Sequence, residues 1–116
     1  MSITRLHSGP RMSQGVVHGD TVYLSGQVAQ NAKGQSVAEQ TRDVLASVDK
    51  LLAEAGTDKS KALSATIWLT DMRTFAEMNE VWDSWIDSAN PPVRACVESR
   101  LAAPGFDVEI GVVAAK

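Results

Sequence analysis

Asn90-Pro-Pro-Val-Arg-Ala-Cys-Val-Glu-Ser-Arg-Leu-Ala-Ala-Pro-Gly-Phe-Asp-Val-Glu-Ile-Gly-Val-Val113 is the stretch around which the rest of this chain is organised. Two strands are expected in it, each with a charge inside an apolar run. A side-chain period of two puts Val93, Ala95 and Val97 on one face of the first strand and Arg94, Cys96 and Glu98 on the other. In the second strand Val108, Ile110 and Val112 share a face, with Asp107, Glu109, Gly111 and Val113 opposite. A charge among apolar strand residues needs water, a partner or a ligand, because an unpaired buried charge costs several kcal/mol. Arg94 and Glu109 therefore demand an explanation. Pattern alone leaves two open: a structural ion pair with each other, or a ligand site.

Upstream of this stretch, Asn90-Pro91-Pro92 stops a helix, since proline cannot continue the hydrogen-bond ladder. That helix begins at Asp71 or Thr74, where Thr74-Phe-Ala-Glu77 has capping-box form. Phe75, Met78, Trp82, Trp85, Ile86 and Ala89 mark its buried face. Before it, Lys61 to Thr70 alternates, with Ala65, Ile67 and Leu69 against Ser64, Thr66, Trp68 and Thr70, which predicts a strand. Earlier still, Ser36-Val-Ala-Glu39 is a capping box that opens a helix. Its apolar stripe, from Val37 to Ala55 at three- and four-residue spacing, ends at Gly56. At the N-terminus, Ile3 to Leu6 is a short strand, and Gly15–His18 pairs antiparallel with Thr21–Ser25 through a tight turn at Gly19-Asp20. Val22 and Leu24 face one way and Tyr23, Ser25 and Gln27 the other. Gly26 permits an approach that a side chain would obstruct.

This order predicts one α+β domain over residues 1–116, with a six-stranded mixed sheet and a right-handed crossover between parallel strands. Helices on one face would cover Val22/Leu24, Ile67/Leu69, Ala95/Val97 and Ile110/Val112. The other face then collects Tyr23, Ser25, Gln27, Thr66, Trp68, Arg94, Cys96, Glu98 and Glu109, a mixture expected to be buried against another subunit. At such a seam Arg94 could hold a carboxylate with a bidentate pair, with Glu109 as a proton-transfer group or water positioner nearby, and the structural ion pair between the two stays the alternative.

Composition narrows the classes. The 116 residues suffice for one core, and a formal charge of −3 with both signs scattered argues against nucleic acid and against an anionic membrane surface. No apolar run approaches the ~20 residues of a membrane span, and no signal-peptide h-region follows Met1, so a soluble, cytoplasmic protein is expected. One cysteine excludes an internal disulfide, and no clustered ligands suggest a metal. His7 and His18 read as surface residues. Cys96 reads as a small buried hydrophobe rather than a nucleophile, since no histidine stands where it would activate the thiol. Ser25-Gly26 lacks the Gly-x-Ser-x-Gly of a nucleophile elbow.

Along its whole length the sequence resembles the RidA family, also called YjgF. The resemblance is carried by Gln14-Gly15 leading to Val22-Tyr-Leu-Ser-Gly-Gln27, by Ala65-Thr-Ile-Trp-Leu-Thr-Asp71, by Phe75-x-x-x-Asn79, and by Pro92-Val-Arg-Ala-Cys-Val-Glu98 with Val108-Glu-Ile110. It implies a chorismate-mutase-like α+β fold, a homotrimer with ligand sites in clefts between subunits, and the fourth strand lying between the last two. It also implies cofactor-independent hydrolysis of 2-imino and enamine acids to 2-keto acids and ammonia. In that reading Arg94 grips the substrate carboxylate, Glu109 positions or activates water, and Ser25, Gly26 and Cys96 line the cleft. Met12 stands where well-studied members carry a tyrosine, and Arg11-Met-Ser13 resembles a divergent branch. Two other classes stay open for this chain: a trimeric module that binds or senses keto acids without turnover, and a stress-activated holdase.

Overall fold

In the computed structural model, which describes residues 1–116, the first helix forms where its apolar stripe places it, whereas the second ends at Trp85 with Ile86 as its C-cap, short of the expected stop at Asn90-Pro91-Pro92. Helix α1 spans Val37–Glu54, and Ser36 Oγ caps it by accepting from the backbone N–H of Glu39 at 3.1 Å. The box is not reciprocal, because the Glu39 carboxylate pairs with Arg42 instead. Helix α2 spans Phe75–Trp85 and follows a single 3-10 turn at Met72–Thr74. The second expected capping box does not form. Asp71 caps the 3-10 turn through the N–H of Arg73, and the Thr74 hydroxyl donates to the carbonyl of Asp71. Glu77 Oε2 accepts instead from the N–H of Ala38 at 2.8 Å, satisfying an otherwise orphaned donor in the first turn of α1.

The strands are β1 (Ile3–Leu6), β2 (Gly15–His18), β3 (Thr21–Leu24), β4 (Gln27–Val28), β5 (Ala62–Leu69), β6 (Val93–Glu98) and β7 (Val108–Ala115). They make one sheet in the order β1-β2-β3-β7-β5-β6, with β4 also paired to β7. Only β5 and β6 pair in parallel, joined through α2. Strand β5 lies between the last two strands, as the resemblance implied. The expected six strands are all present, and the seventh is the two-residue β4, too short to carry a period in sequence.

β4 exists because the chain slips by one residue. Tyr23 faces Val113 and Gln27 faces Ile110, so the segment through Ser25-Gly26 holds one residue more than β7 does opposite it. Such a bulge reverses the face of everything beyond it. Gln27 is thereby turned to the side of Ile110, away from the Tyr23 face on which unbroken alternation had placed it.

The core lies between the helices and one face of the sheet. Val22, Ile67, Leu69, Ile110 and Val112 pack there with Leu45, Leu52 and Met78, all essentially buried. Of the expected stripe of α2, Met78 and Trp82 are buried, Trp85 and Ile86 pack at the margin, and Phe75 and Ala89 are exposed.

Strand β6 sits the other way round from its hydrophobic pattern. Its parallel register sets Arg94 beside Ala65, Cys96 beside Ile67 and Glu98 beside Leu69, so the charged register shares the helix-covered face. Cys96 packs against the core, and Glu98 accepts from the N–H of Met72 at 2.8 Å. Val93, Ala95 and Val97 join the uncovered face with Thr66 and Trp68. Helix α2 leaves this edge strand largely uncovered, which is why the polar register tolerates the helix side while Val93 stays 73% exposed.

Candidate functional site

Glu109 stands mid-strand on the uncovered face, beside Trp68 of β5 on one side and Val28 of β4 on the other. It has neither a hydrogen bond nor an ion pair in the chain, and burial pushes its carboxyl above the ordinary carboxylate range. Gly26 makes this placement possible. A Cβ built on Gly26 would lie 2.9 Å from Glu109 Cδ and closer still to Oε2, so the carboxylate occupies space that any other residue would fill. Gly111, two residues along β7, is not constrained in this way, since a Cβ there would meet the Trp68 ring at 3.6 Å, an ordinary van der Waals contact.

The bulge that carries Gly26 is held from the other side by amides. Ser25 Oγ donates to Gln14 Oε1 at 2.8 Å, Gln27 Nε2 donates to the same oxygen at 3.0 Å, and the Ser25 N–H donates to the Gln14 carbonyl at 2.9 Å. The anchoring role of Gln14 was not evident from sequence, because its partners lie across the bulge. The one available signal was a second glutamine next to Ser25-Gly26.

Arg94 lies on the opposite side of the sheet, with its guanidinium 5.2 Å from the centroid of Trp82 and 5.7 Å from that of Phe75. This is cation–π geometry on the face of α2. No carboxylate pairs with it, so the structural ion pair with Glu109 is not formed within the chain. Cys96, two residues along the same face, is half-buried. Burial pushes its thiol up, and the nearby Arg94 charge opposes that shift. A raised thiol is a poor nucleophile, in keeping with a packing role. Met12 is exposed in the loop between β1 and β2.

One chain thus brings Ser25, Gly26 and Glu109 together, brings Arg94 and Cys96 together, and separates the two groups by the thickness of the sheet. Neither Arg94 nor Glu109 borders any cavity of the single chain. A polar cavity of about 260 Å³ reaches Gln14 and Gln27 from the side of α1, with His7, Lys50 and Glu54 at its rim. No group of three or more His, Cys, Asp or Glu is placed to hold a metal ion, and no helix is long and apolar enough to cross a membrane.

The family described as Endoribonuclease L-PSP matches residues 2–116. A RutC family protein of Haemophilus influenzae is 43% identical over 114 residues, covering 98% of both chains. The bovine 2-iminobutanoate/2-iminopropanoate deaminase is 33% identical over 107 residues, covering 88% of this chain and 77% of its own. Among solved structures, a YjgF family member from Neisseria meningitidis superposes with a TM-score of 0.96 at 47% identity, over all of this chain and 96% of that one.

Proposed function

Because the chain belongs to the YjgF (RutC) family, matched along its full length, we propose that it is a cofactor-independent deaminase that hydrolyses 2-imino and enamine acids to 2-keto acids and ammonia. The observation that carries the reading is Arg94: an exposed guanidinium, laid on two aromatic rings and left without any carboxylate of its own. Its planar fork matches a substrate carboxylate bidentately. Glu109 supplies the second function. As a water oxygen adds to C2 of the imino acid, the Glu109 carboxylate accepts the water proton. The same carboxyl returns that proton to nitrogen to give the carbinolamine, then carries the hydroxyl proton to nitrogen as the C–N bond breaks, so that ammonia departs and C2 becomes the ketone. A carboxyl displaced upward by burial suits both halves of that transfer.

Since Arg94 and Glu109 occupy opposite faces of one sheet, a single substrate reaches both only where two copies meet. We propose a homotrimer in which the Val93, Ala95 and Val97 face of β6, with Trp68 and Tyr23, is buried between subunits, and in which Arg94 of one copy faces Glu109 of the next. Cleavage of RNA is not the reading supported here, given a formal charge of −3 and no basic stripe.

The test is ammonia release from imino acids generated in place by a dehydratase. Arg94→Lys retains charge but loses the fork, and activity is expected to fall about tenfold or more, the scale of a hydrogen bond to a charged group. Arg94→Ala is expected to fold normally. Undiminished ammonia release from both variants would overturn the assignment. Binding of 2-oxobutanoate without turnover by the wild type would replace it with the keto-acid-binding reading.

A further inference from the structure

Gln14 and Gln27, the two amides that hold the Ser25-Gly26 bulge, use only part of their hydrogen-bonding capacity in doing so. Gln27 Nε2 donates to the backbone carbonyl of Ser25 at 3.1 Å, and a carbonyl only accepts, so the network itself fixes which end of that amide is nitrogen. The same nitrogen donates to Gln14 Oε1, which fixes the second amide in turn. Gln14 Nε2 and Gln27 Oε1 are thereby left without partners in the chain, the first a donor and the second an acceptor. Neither atom is sealed from solvent, since the one buried side-chain oxygen or nitrogen without a partner is Asn79 Oδ1. Both residues line the cavity of about 260 Å³ beside α1. Its α1 wall carries a second donor and acceptor, this time charged. Lys50 and Glu54 stand four apart on the helix, about 6 Å along its axis. They do not pair with each other. Lysine ahead of glutamate is the weaker order for such a pair, and Glu54 Oε2 is taken by His7 Nε2. His7 reaches it from a left-handed backbone, φ 50°, which is uncommon for a residue other than glycine. Lys50 is left without a carboxylate, and Glu54 keeps its other oxygen.

We propose that this cavity is a second binding site, for a free α-amino acid whose side chain ends in a carboxamide, of the glutamine or asparagine class. A lone anion would be repelled by Glu54 and a lone cation by Lys50, whereas a zwitterion satisfies both. The ligand carboxylate accepts from Lys50 Nζ and its ammonium donates to Glu54 Oε1. Its carboxamide meets the two glutamines head to tail, the oxygen accepting from Gln14 Nε2 and the nitrogen donating to Gln27 Oε1. The volume lies just under the ~300–1,000 Å³ typical of sites for drug-sized molecules, which suits a small metabolite. Neither Arg94 nor Glu109 borders this cavity, so the inference stands apart from the deaminase reading.

Titration calorimetry with L-glutamine and L-asparagine, paired with NMR of the side-chain amide signals, tests the site. The wild type is expected to bind at least one of the two amino acids saturably. The Gln14 Nε2 signals, identified by their loss in Gln14→Glu, should shift along the same titration. Lys50→Ala and Glu54→Gln change exposed helix positions, so both should fold as the wild type does. Each should weaken binding about tenfold, the scale of one lost hydrogen bond to a charge. L-Glutamate and L-aspartate keep the shape but set an oxygen against Gln27 Oε1, and should bind about tenfold more weakly than the amides. Arg94→Ala should bind as the wild type does. The proposal is overturned if neither amide binds saturably at millimolar concentration, if binding survives both Lys50→Ala and Glu54→Gln, or if Arg94→Ala abolishes it. Glutamate or aspartate binding as tightly as its amide, with the Gln14 signals unmoved, would overturn the assigned ligand class.

Discussion

Gly26 and Glu109 form the tightest constraint at the scale of single residues. A Cβ at position 26 would stand 2.9 Å from Glu109 Cδ, but what it meets is the end of a side chain that can swing aside. Gly26→Ala is therefore expected to leave the melting temperature within a few degrees while displacing the carboxylate. Misplacement of a catalytic group by about 1 Å can cost on the order of a hundredfold in rate, so thermal melting and ammonia release on this variant should separate cleanly. Glu109 also makes a prediction about pH. Its folded-state pKa lies above the ordinary 4.5, so the native chain holds that proton more tightly than the unfolded one. Between the two values the native state binds more protons, and stability falls as pH rises through that window. Glu109→Gln removes the effect. Denaturation of this variant in parallel with wild type should show it the more stable above the window, with the difference closing below it. An advantage for the wild type at neutral pH would mean that a positive group, such as a neighbouring copy's Arg94, already compensates the charge.

At the scale of elements, the link between the helices is stronger than either helix's own cap suggests. Glu77 reaches from α2 to the N–H of Ala38 at 2.8 Å, and Glu39, the capping-box partner by pattern, is spent on an exposed pair with Arg42. Denaturant titration should show Glu77→Ala losing about 1 kcal/mol, since a part-buried donor of α1 loses its partner. Glu39→Ala should lose little, because an exposed ion pair contributes roughly 0 to 1 kcal/mol. The reverse ranking would return the cap to Glu39. Strand β6 carries a related lesson. Alternation identified its two registers correctly, yet the face that turned inward was decided by pairing with β5 and by how little of this edge α2 covers.

For the whole molecule, the uncovered face of the sheet is the feature to test. Val93 is 73% exposed and Val97 44%, next to Tyr23 at 49%. Val97→Asp places a charge that the isolated chain tolerates in water but that burial between copies would not, at a cost of several kcal/mol. Sedimentation or light scattering should find the wild type near three times the 12.4 kDa of one chain, and Val97→Asp mostly as single chains that remain folded. A wild type that sediments as a single chain, or an unchanged assembly in the variant, would count against the proposed interface. Because the proposed site draws Arg94 and Glu109 from different copies, dissociation should abolish turnover as well.

Much of this protein was legible in its sequence because local physics decides it. The stripe from Val37 to Leu52, the alternation of β5 and β7 and the turn at Gly19 all follow from helix and strand periods and from backbone chemistry over a few residues, whereas α2 ends at Trp85, short of the expected stop at Asn90-Pro91-Pro92. The residues needing explanation, Arg94 and Glu109, were equally plain, since a charge within an apolar strand is a local contradiction. Which of them face each other was not. That depended on the one-residue slip at Ser25-Gly26, on the parallel register of β6 against β5, and on which parts of the sheet the helices reach. Period-two alternation names the members of a face but carries no information about which face turns inward; that follows from contacts between residues far apart in the chain, and only the tertiary structure supplies them.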